Sequence, residues 1–269
     1  MKFTKIRLTG LTAIDLPIVG ALPSDRYILK GVDGLGPTEV DVSMSDTINA
    51  GGVYLGRRPH NREPVIRIGL NPDHSAGQSA SDLRSSLYGM LTPGSDDVVL
   101  LEIIDGSTVV ASTVGYVKKL EIAPFSQTPE VQVTLACTQP YLQAPNILFV
   151  APGGSKAAPE IVNTGNAPSG FHMEVIFSAP VSSWILTDVK ARKMEFVHDF
   201  LAGDKLAFDT RPGLRRVELT RDLMTTKLLS ALAFGSVWHM LHGGNNIFSA
   251  SSTSYNWGDV YFRPLYWGI

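Results

Sequence analysis

Apolar residues recur at every second position through most of this chain, and that period constrains the fold more than any other feature. It is cleanest over residues 130–137, where Val131, Val133, Leu135 and Cys137 alternate with Glu130, Gln132 and Thr134. Such a pattern marks a strand with one face buried and one wetted. The alternation opens the chain over residues 2–8, and strand-like stretches return at 171–177, 184–186, 193–197, 205–209 and 215–219. Residues 98–104 are almost wholly apolar, which predicts a strand covered on both faces. Asp105-Gly106 follows as a tight hairpin turn, returning through residues 108–116. Residues 238–241, 247–248 and 260–267 read as further strands. The 25 glycines and 17 prolines supply the turns that an all-β chain requires.

A helical period stands out between residues 81 and 91. Leu83, Leu87, Met90 and Leu91 fall at i, i+4, i+7 and i+8, one face of an amphipathic helix. Ser79 or Ser81 can cap its first amides, and Pro93-Gly94 ends it. Residues 222–234 are leucine-rich and leave a short helix open. The expected class is therefore all-β with one amphipathic helix.

At 269 residues the chain can hold one large or two ordinary domains. Residues 138–170, rich in proline, glycine and asparagine, interrupt both periodicities and read as a boundary. The expected division is a first β domain over residues 1–140 and a second over 141–269.

A net charge of −2 argues against a dedicated nucleic-acid binder. The single cysteine, Cys137, allows no intramolecular disulfide and no thiolate zinc cage, and it reads as a small core hydrophobe. No apolar run approaches the ~20 residues of a membrane helix, and the opening residues lack the apolar core of a signal peptide. Folding in a cytoplasm, with no membrane partner, is the expectation.

Candidate chemistry fails motif by motif. Gly31, Gly34 and Gly36 precede Pro37 and open no helix, so no amides are aimed at a phosphate. His239 and His242, read on a strand, would point to opposite faces with no acidic residue beside them. No Gly-x-Ser-x-Gly, His-Glu-x-x-His or Walker-type pattern is present. The expectation is no enzyme, no metal and no cofactor.

Residues 31–70 point elsewhere. Val40 and Val42 alternate with Glu39, Asp41 and Ser43, which predicts a strand with one buried face, and Ile66, Ile68 and Leu70 predict another. Between them lies a Gly- and Arg-rich excursion with Val53, Tyr54 and Leu55 at its centre and Arg57, Arg58 and Arg62 beside it. A single domain has little reason to bury that triplet. A hairpin arm that crosses to another subunit, packing Val53, Tyr54 and Leu55 while Arg57, Arg58 and Arg62 meet acidic groups there, accounts for it. The bland alternative for the arginines is a solvated arm.

Several short segments, taken in order, carry a resemblance. They are Gly31-Val32-Asp33-Gly34; Gly51-Gly52-Val53-Tyr54-Leu55-Gly56-Arg57; Gly203-Asp204 with Asp209-Thr210-Arg211-Pro212; Trp238 leading to Gly243-Gly244-Asn245-Asn246; and Arg263-Pro264 near the last strand. This series resembles the siphophage distal tail proteins. The resemblance implies a tail-tube-like N-terminal β-sandwich followed by a galectin-like β-sandwich. It also implies a ring of six copies at the phage tail tip, with no catalytic residues. That ring would join the tail tube protein to the hub (tail-associated) protein and receptor-binding proteins, and DNA would meet it only in transit through the channel. A tail-tube or tail-completion protein remains an alternative. So does a carbohydrate-binding module, with Trp184, Trp238 or Trp257 stacking on a sugar.

Overall fold

The computed structural model describes residues 3–18, 22, 24–46, 52–122, 129–150 and 160–269. The chain divides into two compact units, Met1–Pro145 with Tyr266–Ile269, and Asn146–Leu265. Both are built of antiparallel strands, and the architecture is all-β with one α-helix among the described residues.

The first unit contains β1 (Lys5–Thr9), β2 (Ala13–Pro17), β3 (Tyr27–Asp33), β4 (Val40–Asp46), β5 (Gly52–Pro59) and β6 (Val65–Leu70). The helix α1 (Ala80–Met90) follows, then β7 (Val99–Asp105), β8 (Thr108–Ile122), β9 (Glu130–Cys137) and β10 (Leu142–Gln143). The main sheet runs in the order β2-β1-β7-β8-β9-β6-β3. Its two end strands, β2 and β3, come back into contact, so one sheet rolls around the core and supplies both walls of the sandwich. β8 crosses most of the unit and carries a bulge between Val117 and Lys119, the kind of irregularity that lets a strand bend.

Local sequence explains these elements. Along β9 the alternation is realised residue for residue, with Val131, Val133, Leu135 and Cys137 buried. Burial pushes the Cys137 thiol up from its ordinary pKa. Gly106 adopts φ 61° at the first loop position of the β7–β8 hairpin, a conformation glycine reaches without strain. Ser79 caps α1: its hydroxyl accepts from the Asp82 amide at 3.2 Å, and the Asp82 carboxylate accepts from the Ser79 amide at 2.9 Å. Leu83, Leu87 and Leu91 then face the core, and Tyr27 donates its hydroxyl proton to the Leu83 carbonyl.

One expectation about the strands needs correction in this unit. β7 is fully buried on one face, through Val99, Leu101 and Ile103, but only partly covered on the other. There Leu100 and Glu102 are half-buried, Glu102 lies 3.9 Å from Arg7, and Ile104 is buried. The opening strand is realised as β1, and a second strand, β2, follows it directly. Gly10 turns the chain between β1 and β2, pressed so close to the Met90 carbonyl that a Cβ would sit 2.8 Å from it.

The second unit contains β11 (Leu148–Val150), β12 (Glu160–Asn163), β13 (Phe171–Phe177), β14 (Val181–Asp188) and β15 (Lys193–Phe200). It continues with β16 (Lys205–Asp209), β17 (Arg216–Arg221), β18 (Met224–Lys227), β19 (Gly244–Ala250) and β20 (Tyr255–Phe262). A sheet in the order β11-β20-β13-β16-β17-β18 packs on a second in the order β12-β19-β14-β15. Aromatic rings fill the space between: Trp184 from β14 meets Trp257 from β20 edge-on at 6.0 Å and lies 6.2 Å from Phe208 of β16. This is a β-sandwich. The leucine-rich stretch near residue 229 is strand β18 and a single 3₁₀ turn, and residues 238–240 are irregular rather than extended.

Two buried histidines make this unit sensitive to acid. His172 and His239 are 4% and 1% exposed. Burial pushes both imidazoles below their ordinary pKa, against the opposing pull of Glu174 and Asp209 on His172 and of Asp188 on His239. The unfolded chain therefore takes up protons below about pH 6.5 that the folded chain refuses, so stability is lost as pH falls through that value. Each histidine contributes a slope of up to about 1.4 kcal/mol per pH unit in that window. Calorimetry between pH 7.5 and 5.5 should show the transition of this unit moving down as pH falls; a flat or rising Tm contradicts the assignment.

Candidate functional site

The strands β4 and β5 form a hairpin of their own, paired with each other and with no strand of the main sheet among the described residues. The register runs Val40↔Pro59, Asp41↔Arg58, Val42↔Arg57 and Ser43↔Gly56, then Met44↔Tyr54 and Ser45↔Val53. The shift leaves Leu55 as the extra residue of a bulge. Directly paired residues in an antiparallel ladder share a face. One face of the arm thus carries Val40, Val42, Met44, Tyr54, Arg57 and Pro59, and the other carries Asp41, Ser43, Ser45, Val53, Gly56 and Arg58.

The apolar positions of the arm are open. Val42, Met44, Val53, Tyr54 and Leu55 are each more than half exposed, with Leu55 at 65%. Arg57 and Arg58 are exposed as well. The outward-facing charge is partly organised: His60 Nε2 lies 2.8 Å from Asp41 Oδ1, and that contact raises the imidazole pKa. Val42 and Met44 are exposed on the arm as well but are not among the interface residues read from the sequence, where the alternation through Val42 stood for burial within the domain. Their signal was present in the period; what the period lacks is the identity of the covering partner. Gly51, part of the glycine motif, lies outside the described residues.

Arg62 requires a correction. It does not flank the exposed triplet but is 1% exposed beneath the arm. Its Nη1 donates to the carbonyls of Gly34 and Gly36 at 2.6 and 2.8 Å, its Nη2 to Trp267 at 2.6 Å, and its Nε to Pro140 at 3.2 Å. Desolvation lowers its pKa. A planar fork of donors is the one cationic group able to satisfy carbonyls from several directions at once.

In the second unit the resemblance motifs turn out to be structural staples. Asp204 accepts from the Leu201 amide and from Arg221 through both carboxylate oxygens, and the Arg221 contact holds its pKa below the usual carboxylate range. Asp209, fully buried, accepts from the Arg211 amide and guanidinium. Asn246 ties the turn before it, accepting from the His242 amide and donating to the carbonyls of His242 and Gly244. Trp184 and Trp257 are core residues, at 0% and 1% exposure, so neither can stack on a sugar. Trp238 is half-buried, with the Arg215 guanidinium 5.6 Å from its ring centroid. No group of three or more metal-ligating side chains occurs among the described residues, and His242 is exposed while His239 is buried.

Residues 164–266 match the family model described as siphovirus-type tail component, C-terminal domain. All but the last of the matched residues lie within the second unit, which is thus similar to a siphovirus-type tail component domain. The sequence resemblance to siphophage distal tail proteins is borne out by that match. In overall fold the chain is similar to the Dit protein of phage SPP1, described as a paradigm of the hub adsorption apparatus in phages infecting Gram-positive hosts. That likeness has 15% identity and a TM-score of 0.61, covering 97% of this chain and 98% of the other. A chain of the phage P2 baseplate in its activated conformation with Ca aligns at 9% identity and a TM-score of 0.44, covering 98% and 99%. No curated protein sequence matches the chain. The first unit, which precedes the matched residues, carries the exposed arm.

Proposed function

We propose that the protein is a distal tail protein: a ring at the tip of a siphovirus tail, joining the tail tube to the hub and receptor-binding proteins and leaving a channel for DNA. The observation that carries the reading is the β4–β5 arm, which pairs with no other strand among the described residues and leaves its apolar side chains exposed. In this reading Val42, Met44, Val53, Tyr54 and Leu55 pack on the neighbouring copy, with Arg57 and Arg58 meeting acidic groups around them. The low net charge suits a channel that DNA must traverse, because a dense basic lining would hold phosphates through counterion release. The protein assembles in the host cytoplasm, acts in the virion and catalyses no reaction.

Negative-stain imaging with light scattering on the purified chain tests this. A closed ring, six copies in our reading, is the expected particle; a monomer at tens of micromolar overturns it. A tail-tube or tail-completion protein shares the first unit's features, but a second complete sandwich favours the tip. With Trp184 and Trp257 in the core, the sugar-binding alternative loses two of its three aromatic platforms.

We also propose that the two units fold separately, with the joint inside residues 138–170. Brief proteolysis is expected to cut there first and leave two resistant fragments. First cuts within β8 or β9 would contradict it.

A further inference from the structure

The arm stands on two irregular legs, residues 34–39 and 60–64. A third segment, far away in sequence, holds these legs. After Leu265 the chain returns to the first unit, where Tyr266 and Ile269 pack against its core. Trp267 offers its carbonyl to Arg62 Nη2, and its ring sits edge-on against Tyr141 at 4.8 Å. The Ile269 amide points at the Leu35 carbonyl, at 3.4 Å. Gly268 lies so close to the first leg that a Cβ there would be 2.7 Å from the Gly36 carbonyl carbon.

We propose that residues 266–269 are a latch that fixes the pose of the arm and so licenses ring assembly. The inference rests on the assembly reading above and adds its regulation. Arg62 is the centre of the device, since one buried guanidinium joins the first leg, the Pro140 carbonyl and the latch. Without the latch, Nη2 loses its carbonyl and water reaches the base. The second leg keeps its bonds from β9, where the Cys137 and Leu135 amides donate to the Arg62 and Pro64 carbonyls. The first leg loses its ties to the latch, and Gly34 and Gly36 are free to act as hinges. A swivelling arm must be ordered at the moment of association, which weakens binding without removing any interface side chain. Because residues 266–269 are synthesised after the whole second unit, the arm acquires its pose only once that unit has been made. Partial chains then lack a competent interface.

The test compares the full chain with a version ending at Leu265 and with Gly268→Ala, which drives a methyl into the Gly36–Pro37 backbone and leaves every interface side chain in place. Hydrogen exchange is read at the legs and at β7, β8 and β9, and ring assembly by sedimentation over a concentration series. Expected in both variants is first-leg exchange about tenfold faster or more, unchanged protection of the main sheet, and assembly shifted to at least about tenfold higher concentration, as ordering costs of this size imply. A first leg as protected as in the full chain, or rings at unchanged concentration despite a loosened first leg, overturns the latch. Should the shortened chain lose protection throughout the first unit, Gly268→Ala alone decides by the same two readouts. A full-length protein that forms no ring at any concentration defeats the assembly reading itself, whereas rings in the shortened chain at the full chain's concentration defeat only the latch.

Discussion

Tyr54→Ala combined with Leu55→Ser is expected to leave the protein unassembled while both units remain folded. Tyr54 and Leu55 are 57% and 65% exposed, so in the isolated chain their removal costs the core nothing. At an interface they are large apolar groups near the centre of a small patch, where truncations weigh most. Burying the exposed half of each gives about 1–2 kcal/mol per side chain, so the pair accounts for about 2–4 kcal/mol per contact. That weakens each subunit contact by about 30-fold to 1000-fold, and a closed ring needs every contact at once. Sedimentation should show monomers where the parent protein forms rings, with circular dichroism and thermal transitions unchanged. Loss of folded structure would return the triplet to a core role, and unaltered rings would reduce the arm to a surface loop.

Trp184→Ala is expected to produce the largest loss of stability, confined to the second unit. The indole is fully buried on β14 and lies within about 6 Å of Phe196, Tyr255 and Trp257, ring centre to ring centre. These neighbours come from both sheets, so no single strand can move in to fill the space. Large aromatic-to-alanine changes in such sites cost about 3–5 kcal/mol. Against a typical total of about 5–15 kcal/mol, that brings the unit to the edge of unfolding. Calorimetry should show its transition falling by about 10–20 °C while the first unit's transition stays in place. A fall of only a few degrees would mean that the sandwich collapses around the gap.

What could be read in the sequence was whatever is decided locally. The strand period of β9, a serine cap on α1 and the Asp105-Gly106 turn each depend on residues within one or two turns of chain, and each is realised, with Ser79 the cap of the two serines that were open. Where the partner lies far away, the pattern underdetermines the answer. The alternation in β4 says that Val42 and Met44 share a face, but not that this face lacks a cover within its own unit. The basic run 57–62 groups Arg62 with Arg57 and Arg58, and nothing nearby reveals that carbonyls of residues 34, 36, 140 and 267 converge on it. Leucine content misled near residue 229 for the same reason: Leu223 is 99% exposed at the tip of the β17–β18 hairpin, so its hydrophobicity carries no helical face. The sequence thus marks the stretch whose apolar side chains are open, but it groups the buried Arg62 with that stretch and leaves out Val42 and Met44.

The state of Cys137 has a practical consequence for watching assembly happen. As the chain's single thiol, held inside the first core with its pKa raised by burial, it has little thiolate to offer a maleimide or iodoacetamide reagent. The native sequence is in effect already cysteine-free toward such chemistry. One cysteine placed on the arm then takes up a fluorophore or spin label at a single site, with no background mutation in the core. Distances between labels on neighbouring copies would report the ring's spacing and the arm's motion in solution.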